Sequence, residues 1–475
     1  MTRTAAIDQG TTSTRVLVAS DDGISEVKHS IRHRQHRPQP GWVEHDAEEL
    51  LGNVRICAEA GRETAGALDA IGIANQGESC LAWDAVTGEP ISPVIVWQDT
   101  RTADIVERLR AEGGEVVTRQ RAGLPLDTYF SAAKLTWILE NIPEAVQRMR
   151  RGRLRLGTTD AFFLERLTGV FATDVTTASR TSLMNLEACQ WDDELCRLFG
   201  VPIENLPEIR PTVGSFGELD RVPLMAAIVD QQAALYGHGC RKTGDAKITF
   251  GTGAFMLAVT GASAVRAHER GLLPTVAWRI RNEETVFAVD GGLHDAGAVV
   301  EWIQRLGLFN DFAELTEFDA DPAISRGLVF VPALSGLACP HWDRGAAGIW
   351  IGMTADTSRS DLCQAALEGI AFGVAEIISE TSKSVAIADR LSIDGGLVGS
   401  RYFVQFLADV TGRRVLAPSL CDLTAHGCAA LAAVGIGCEV PTSQVPPTAF
   451  VPRKVERTAW RERYASAVSR AMHWR

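Results

Sequence analysis

A strand–turn–strand pattern rich in Gly and Thr occurs twice in this chain of 475 residues, once near the N-terminus and once near the middle. Apolar and β-branched residues on both sides of such a turn predict a β-hairpin. The predicted turns lie at 8–13 and 251–253, and their flanking strands lie at 4–7, 15–19, 246–250 and 255–259. Because one hairpin opens each half of the chain, we expect a duplicated domain and not a short-period repeat.

A second pair of similar segments supports the duplication. Segments 286–292 and 391–396 each predict a strand that ends in Asp-Gly-Gly and precedes a helix. After the later segment, Phe403, Leu407 and Val410 have the spacing of one face of an amphipathic helix. Strands alternate with helices through much of the chain, which predicts the α/β class.

The length of the chain exceeds what one hydrophobic core usually serves, so more than one domain is expected. Three glycines between 236 and 245 loosen the chain at its middle. We therefore predict an N-terminal domain at 1–240 and a C-terminal domain at 241–475.

The composition is that of an ordinary soluble globular protein, with 46% hydrophobic and 22% charged residues. The net charge of −12 argues against a nucleic-acid binder held by a general positive field. An acidic protein must bind a polyphosphate locally, through backbone N–H groups, helix N-termini and a divalent cation.

Ten cysteines are scattered without a Cys-x-x-Cys pair, which predicts reduced thiols. The N-terminus runs directly into a strand pattern without a signal segment. No apolar run approaches the roughly 20 residues that span a bilayer. We therefore expect a cytoplasmic protein that does not insert into membranes.

The turn that follows Asp8 offers backbone N–H groups and hydroxyls to an anion. Asp8 itself stands at a strand end, where a carboxylate can hold Mg²⁺. The same residue types are also common turn formers, and that reading would suffice for one isolated turn. The matching turn at 251–253 predicts instead two loops that hold a polyphosphate from both sides. The chain has neither a Walker motif nor the Gly-rich loop, His-Arg-Asp and Asp-Phe-Gly set of protein kinases.

Asp230 ends an apolar run and precedes a helix of small residues. A carboxylate in this position can act as a general base that accepts the proton of an attacking hydroxyl. It can equally be a helix N-cap, and the spacing alone favours the cap.

Polar clusters also close the apolar runs before 75–78 and 96–101. Strand ends of this kind carry functional sites in α/β folds. Trp97, Tyr129 and Phe255 could form an apolar wall for the carbon backbone of a polyol, although each is individually explained by core packing.

Together these motifs resemble the FGGY carbohydrate kinases, and within them the glycerol kinases, nearly from end to end. The segments that carry the resemblance are 8–13, 41–46, 129–137, 230–235, 251–257, 336–343 and 394–409.

The resemblance implies two ribonuclease H-like domains, of the actin/hexokinase ATPase type, around a central cleft. It implies Mg-ATP as phosphoryl donor, a small polyol or sugar as acceptor, and a homo-oligomer, either a dimer or a tetramer. By position, Asp230 would be the catalytic base and Asp8 would lie near the metal. The acceptor would be bound by Asp230, Gln76, Glu78, Trp97, Tyr129, Gln231 and Phe255. The nucleotide would be bound by Thr11, Thr12, Ser13, Arg15, Thr252, Gly253, Gly297, Glu301, Gly396 and Ser400.

Three positions depart from the family pattern. Glycerol kinases carry Arg at the position of Gly77, usually Gln at that of Glu301, and Asn at that of Ser400. Loss of the Arg allows two outcomes: a nearby side chain such as Arg101 restores the contact, or the vacated space admits a larger acceptor. The sequence therefore predicts phosphorylation of a terminal hydroxyl, with glycerol first. A four-carbon polyol or a small ketose is the alternative acceptor, and a non-catalytic actin-like nucleotide switch is the alternative function.

Overall fold

The computed structural model describes residues 2–420, 422–441 and 445–475. The strands of the first half are β1 Arg3–Gln9, β2 Ser13–Ser20, β3 Ser25–Arg32, β4 Glu44–His45, β5 Ala70–Asn75, β6 Cys80–Asp84, β7 Val94–Ile95, β8 Leu154–Thr158, β9 Ala172–Asp174, β10 Met184–Asn185, β11 Gln190–Trp191, β12 Glu208–Arg210, β13 Glu218–Leu219 and β14 Val222–Val229. Its helices are α1 Ala47–Ala65, α2 Ala103–Ala111, α3 Gly114–Arg121, α4 Ser131–Asn141, α5 Pro143–Arg150, α6 Thr159–Thr168, α7 Val175–Ala178, α8 Asp193–Phe199 and α9 Asp230–Gly237.

The strands of the second half are β15 Ala246–Phe250, β16 Ala254–Gly261, β17 Leu273–Trp278, β18 Val286–Leu293, β19 Val329–Val331, β20 Ile349–Ile351, β21 Arg390–Gly395, β22 Arg414–Ala417 and β23 Thr448–Phe450. Its helices are α10 Gly297–Arg305, α11 Arg359–Ser382, α12 Arg401–Thr411, α13 Leu423–Gly435 and α14 Arg457–Ala471. Short 3₁₀ turns lie at Ile203–Asn205, His268–Arg270, Phe312–Leu315 and Gly396–Gly399.

Each half is built around one large sheet, and the two sheets repeat the same topology. The order β3-β2-β1-β5-β14 in the first sheet recurs as β18-β16-β15-β21-β22 in the second. In both sheets an antiparallel hairpin comes first and two parallel strands follow on one side. The predicted α/β class, the duplicated hairpins and the two-domain actin/hexokinase-type fold are therefore confirmed.

The parallel strands bring distant segments to one edge of each sheet. Gln9, Asn75 and Val229 are register partners at the ends of β1, β5 and β14. The segments that follow these strands consequently meet at the same edge, the usual place for a site in an α/β sheet. In the second sheet Phe250 pairs with Gly395, so the turn at 251–253 emerges beside Gly396.

Helix α11 is the central helix of the second core, where apolar residues along most of its length pack against the sheet. Among the residues that the structure describes, it is the one helix with the length and composition to cross a bilayer, and 83% of its most apolar window is buried. All nine described cysteines are free, and Cys421 lies outside the described residues.

Helices α9 and α13 cross between the two sheets with their backbones in contact. A Cβ atom added to Gly237 would lie 2.0 Å from the carbonyl oxygen of Leu423, and one added to Gly427 would lie 1.9 Å from that of Ala233. Helix α13 belongs to the second half by sequence but packs on the first sheet, where the Thr4 hydroxyl donates to the carbonyl of Ala429 at 3.0 Å. The crossing thus fastens the two domains together.

We expect Gly427→Ala to destabilise the protein, because its methyl group has no room at the helix crossing. Overpacking costs roughly 1–3 kcal/mol, and each kcal/mol lowers the Tm of a domain of this size by about 2–4 °C. Differential scanning calorimetry measures the change. Gly52→Ala in α1 is the matched control, because no atom lies within 4 Å of its added Cβ and Ala favours the helix. Equal Tm values for the two variants would contradict a crossing that requires glycine.

Candidate active site

A cavity of about 160 Å³ lies in the cleft between the two domains. Both domains contribute to its wall, which is lined by Thr11, Gly77, Glu78, Trp97, Tyr129, Arg180, Val229, Asp230, Gln231, Gln232, Phe255, Leu257, Thr275 and Asp290. One water takes about 30 Å³ of liquid, so the cavity has room for a ligand of several non-hydrogen atoms. The structure therefore brings together most of the residues for which acceptor binding was predicted.

Asp230 is the first residue of α9 and follows directly from the buried strand β14. The N-cap position belongs to Val229, and Asp230 Oδ1 accepts from the backbone N–H of Gln231 at 2.6 Å. The alternative of a capping Asp is therefore not what the structure shows. Burial raises the pKa of Asp230 to about 7, and the charges of Asp8 and Glu78 act in the same direction. A carboxylate with this pKa is suited to accept a proton near neutral pH.

Glu78 presents its carboxylate to the cavity from a left-handed backbone conformation, with φ of 62°. Such a φ is uncommon for a residue other than Gly. The Ser131 hydroxyl holds the segment by donating to the Glu78 carbonyl at 3.0 Å. Burial raises the pKa of Glu78, and the nearby guanidinium of Arg180 opposes this shift.

Trp97, Tyr129 and Phe255 form the apolar wall of the cavity, as predicted. The Trp97 and Tyr129 rings meet edge to face with centroids 5.6 Å apart, and Trp97 Nε1 donates to Thr11 Oγ1 at 3.1 Å. Phe255 comes from the second domain, where a Cβ on Gly253 or on Gly292 would lie 3.2 Å from its ring. The two glycines therefore leave the room that this aromatic ring occupies.

The first hairpin turn places Asp8 beside the cleft. Its Oδ2 lies 3.6 Å from Arg15 Nε, while its Oδ1 is buried without a hydrogen-bond partner in the described part of the chain. Burial raises the pKa of Asp8 to about 6, with Arg15 lowering it and Asp422 raising it. An unpaired buried carboxylate oxygen fits a Mg²⁺ ligand, since Mg²⁺ is usually held by one or two carboxylates plus phosphate oxygens. The described residues contain no cluster of three or more metal-ligating side chains, and this mode needs none.

The remainder of the first hairpin turn is compact, with Gly10 N donating to the Ser13 carbonyl at 3.0 Å. Thr11 reaches the acceptor cavity, and Thr12 is exposed. Arg15 donates to Ser13 Oγ at 3.2 Å and to Asp422, so its guanidinium is occupied within the turn.

The second turn is braced by the N-terminus of α10. Gly297 N donates to the Gly251 carbonyl at 3.0 Å, and Ala298 N donates to that of Thr252 at 3.0 Å. A Cβ on Gly297 would lie 2.5 Å from the Gly251 carbonyl, so only glycine allows this approach. Gly396 lies next to the same turn and has open space around its Cα. Thr252, Gly253, Gly297 and Gly396 therefore come together as the phosphate-loop prediction requires.

Three predicted contacts do not agree with the structure. Gln76 is buried behind the cavity, where its side chain contacts Gln9, His45 and Ser79, so it does not face the acceptor. Ser400 caps α12 and donates to the carbonyl of Leu315 at 2.6 Å, which occupies its hydroxyl proton. Glu301 lies on the exposed side of α10.

Arg101 does not enter the cavity either. Its guanidinium is paired with Asp99 and Glu44 and lies over the rings of Trp42 and Trp137. The expectation that Arg101 replaces the side chain absent at Gly77 is therefore wrong. The guanidinium that does line the cavity belongs to Arg180.

Sequence reasoning missed Arg180, Asp290 and Lys247. Lys247 is buried in β15, and its ammonium donates to Gln231 Oε1 and to Thr249 Oγ1. Burial lowers its pKa, while Asp394, Asp230 and Asp290 oppose that shift. A Lys within an otherwise apolar central strand is a signal that could have been used, because unpaired lysines are almost never fully buried.

Comparisons of the sequence with known families give the same result over most of the chain. The model described as "FGGY family of carbohydrate kinases, N-terminal domain" matches residues 4–237, and the corresponding C-terminal domain matches residues 246–436. The chain is 40% identical to a glycerol kinase of Thermus brockianus over 99% of its own length and 98% of that protein. It is 39% identical to a glycerol kinase of Haloferax volcanii over 100% and 98% of the two chains.

Solved structures agree. The glycerol kinase of Plasmodium falciparum with ADP superposes with a TM-score of 0.92 at 30% identity, covering 99% of this chain and 98% of that one. A xylulose kinase from Rhodospirillum rubrum shares the fold, with a TM-score of 0.85 at 22% identity over 98% and 97% of the chains. The chain therefore belongs to the FGGY family of carbohydrate kinases.

Proposed function

We propose that this kinase transfers the γ-phosphoryl group of ATP to a terminal hydroxyl of glycerol. The observation that carries the proposal is the cleft cavity in which the Asp230 carboxylate faces Glu78, Gln231 and the aromatic wall. Polar groups at one side and aromatic rings at the other suit a short polyol, which has hydroxyls along one edge and carbon along its backbone. The glycerol kinases that are about 40% identical over the full chain support the same acceptor.

In the proposed reaction, Asp230 accepts the proton of the acceptor hydroxyl. The hydroxyl oxygen forms a bond to the γ-phosphorus as the bond to the bridging oxygen of ADP breaks. The turns at 8–13 and 251–253 would hold the phosphates through backbone N–H groups and hydroxyls. Asp8 would hold Mg²⁺, which neutralises phosphate charge when it is bound.

The space beside Gly77 bears on the choice between glycerol and a larger acceptor. A Cβ on Gly77 would lie 3.1 Å from Val229 Cγ1, so Val229 closes this side of the cavity. The vacated volume is therefore smaller than the sequence predicts, which favours glycerol over a four-carbon polyol or a small ketose. A cytoplasmic location and a homo-oligomer remain predictions from sequence.

A coupled assay of ADP release across three- to six-carbon polyols and ketoses tests the proposal. We expect the highest kcat/KM with glycerol and ADP release that depends on the acceptor. A higher kcat/KM with a longer polyol or a ketose would move the substrate to the alternative class. Nucleotide hydrolysis that no acceptor stimulates would indicate the actin-like switch instead.

Replacement of Asp230 by Asn keeps the size of the side chain but removes the base. We expect kcat to fall by roughly 10²-fold or more, while calorimetry shows an unchanged fold. Asp104→Asn is the matched control, because Asp104 is an exposed residue in the first turn of α2, and its replacement should leave kcat unchanged. Near-normal turnover by Asp230→Asn would exclude Asp230 as the base.

The pH dependence should follow the ionisation of Asp230. Its carboxylate must be deprotonated to accept a proton, so kcat/KM for glycerol should fall as the pH drops below about 7. The positive charge of Lys247 lowers the pKa of Asp230. In Lys247→Met this stabilisation is lost, and the acid limb of the pH profile should move to higher pH. A limb that stays in place or moves to lower pH would contradict the proposed coupling.

A further inference from the structure

Two charged groups in the cavity wall have buried atoms without partners in the described part of the chain. They are Nη1 of Arg180 and Oδ1 of Asp290. The Arg180 side chain is 5% exposed, so water cannot satisfy its guanidinium from outside. Buried polar atoms in folded proteins are rarely left without a partner. A ligand in the cavity is the simplest explanation, since both residues line it.

The rest of the Arg180 guanidinium is fixed. Its Nε donates to Glu78 Oε1 at 2.6 Å, and its Nη2 donates to Asp290 Oδ2 at 3.3 Å. The rings of Phe130 and Tyr129 lie 5.5 and 5.7 Å from its central carbon. The guanidinium is therefore held by two carboxylates, and the nitrogen without a partner is Nη1.

The segment that carries Arg180 is also tied to the strand that carries Asp230. Helix α7 ends shortly before Arg180, and Val229 N donates to Thr176 Oγ1 in that helix at 3.0 Å. Ser179 Oγ lies 3.0 Å from Thr275 Oγ1 of the second domain. Arg180 thus has a fixed position relative to the proposed base.

Nη1 of Arg180 is a donor without an acceptor, and Oδ1 of Asp290 is an acceptor without a donor. A hydroxyl group can satisfy both, because it accepts through oxygen lone pairs and donates its proton. We propose that Arg180 and Asp290 together bind one hydroxyl of the acceptor that is not phosphorylated. This proposal rests on the proposed function and names the residues that select a polyhydroxyl substrate.

The pair also spans the cleft. Arg180 belongs to the first domain, and Asp290 lies in β18 of the second. A hydroxyl bound by both side chains is therefore held from both domains at once. Arg180 in this role supplies the guanidinium that the Gly77 position lacks.

The test compares glycerol with 1,2-propanediol and 1,3-propanediol, each of which lacks one hydroxyl. For Arg180→Met we expect kcat/KM for glycerol to fall roughly 10- to 150-fold, the value of one hydrogen bond to a charged group. For the diol that lacks the bound hydroxyl, the same variant should differ from wild type by less than about threefold, since no such hydrogen bond is lost. Inhibition constants against glycerol replace kcat/KM where a diol is not phosphorylated.

Arg101→Met is the matched control, because Arg101 is an equally buried arginine paired with two carboxylates outside the cavity. Any effect of this variant should be the same for glycerol and both diols. If Arg180→Met does not fold, as judged by Tm and ADP binding, Asp290→Ala takes its place, since it keeps the Arg180–Glu78 pair.

An equal loss for glycerol and both diols would show that the Arg180–Asp290 pair only joins the domains, and would overturn the inference. That result would leave the proposed function intact, because wild-type turnover of glycerol is measured first. Absence of wild-type turnover with glycerol would instead overturn the proposed function, and this inference with it.

Discussion

Two backbones touch where α9 crosses α13, with no side chain between them. The contact depends on Gly237 and Gly427, and it determines where α9 lies relative to both sheets. Asp230 begins that helix, so the position of the proposed base follows from a backbone contact at the other end of the same helix. The packing of two glycines thereby determines the geometry of the cleft.

Charge balance in the cleft is the second constraint. Asp8, Glu78, Asp230 and Asp290 are buried or partly buried near one another, and burial raises the pKa of each. Unpaired buried carboxylates are costly. Lys247 and Arg180 supply positive charge from β15 and from the segment after α7, one from each domain. The same charges that stabilise the cleft also tune its acids for proton transfer.

The sequence was sufficient to predict the elements that depend on local pattern. The two hairpins, the turn after Asp8 and the placement of Asp230 after a buried strand all follow from strand periodicity and turn chemistry. Residues whose role depends on side-chain direction were harder. Gln76 and Glu78 are two positions apart, yet only Glu78 faces the cavity, because its left-handed backbone turns the side chain there. Arg180 and Asp290 meet across the domain interface, and no local pattern records such a contact.

Helix α13 has a consequence for how the chain acquires its structure during synthesis. Domains generally fold as units, with the N-terminal one first. Here one face of the first sheet is covered by Ala425, Cys428 and Leu431, which the ribosome makes only near the end of the chain. Until those residues emerge, that face has no covering layer and remains a surface that other nascent chains or chaperones can contact. The first domain can therefore complete its core only after translation is nearly finished.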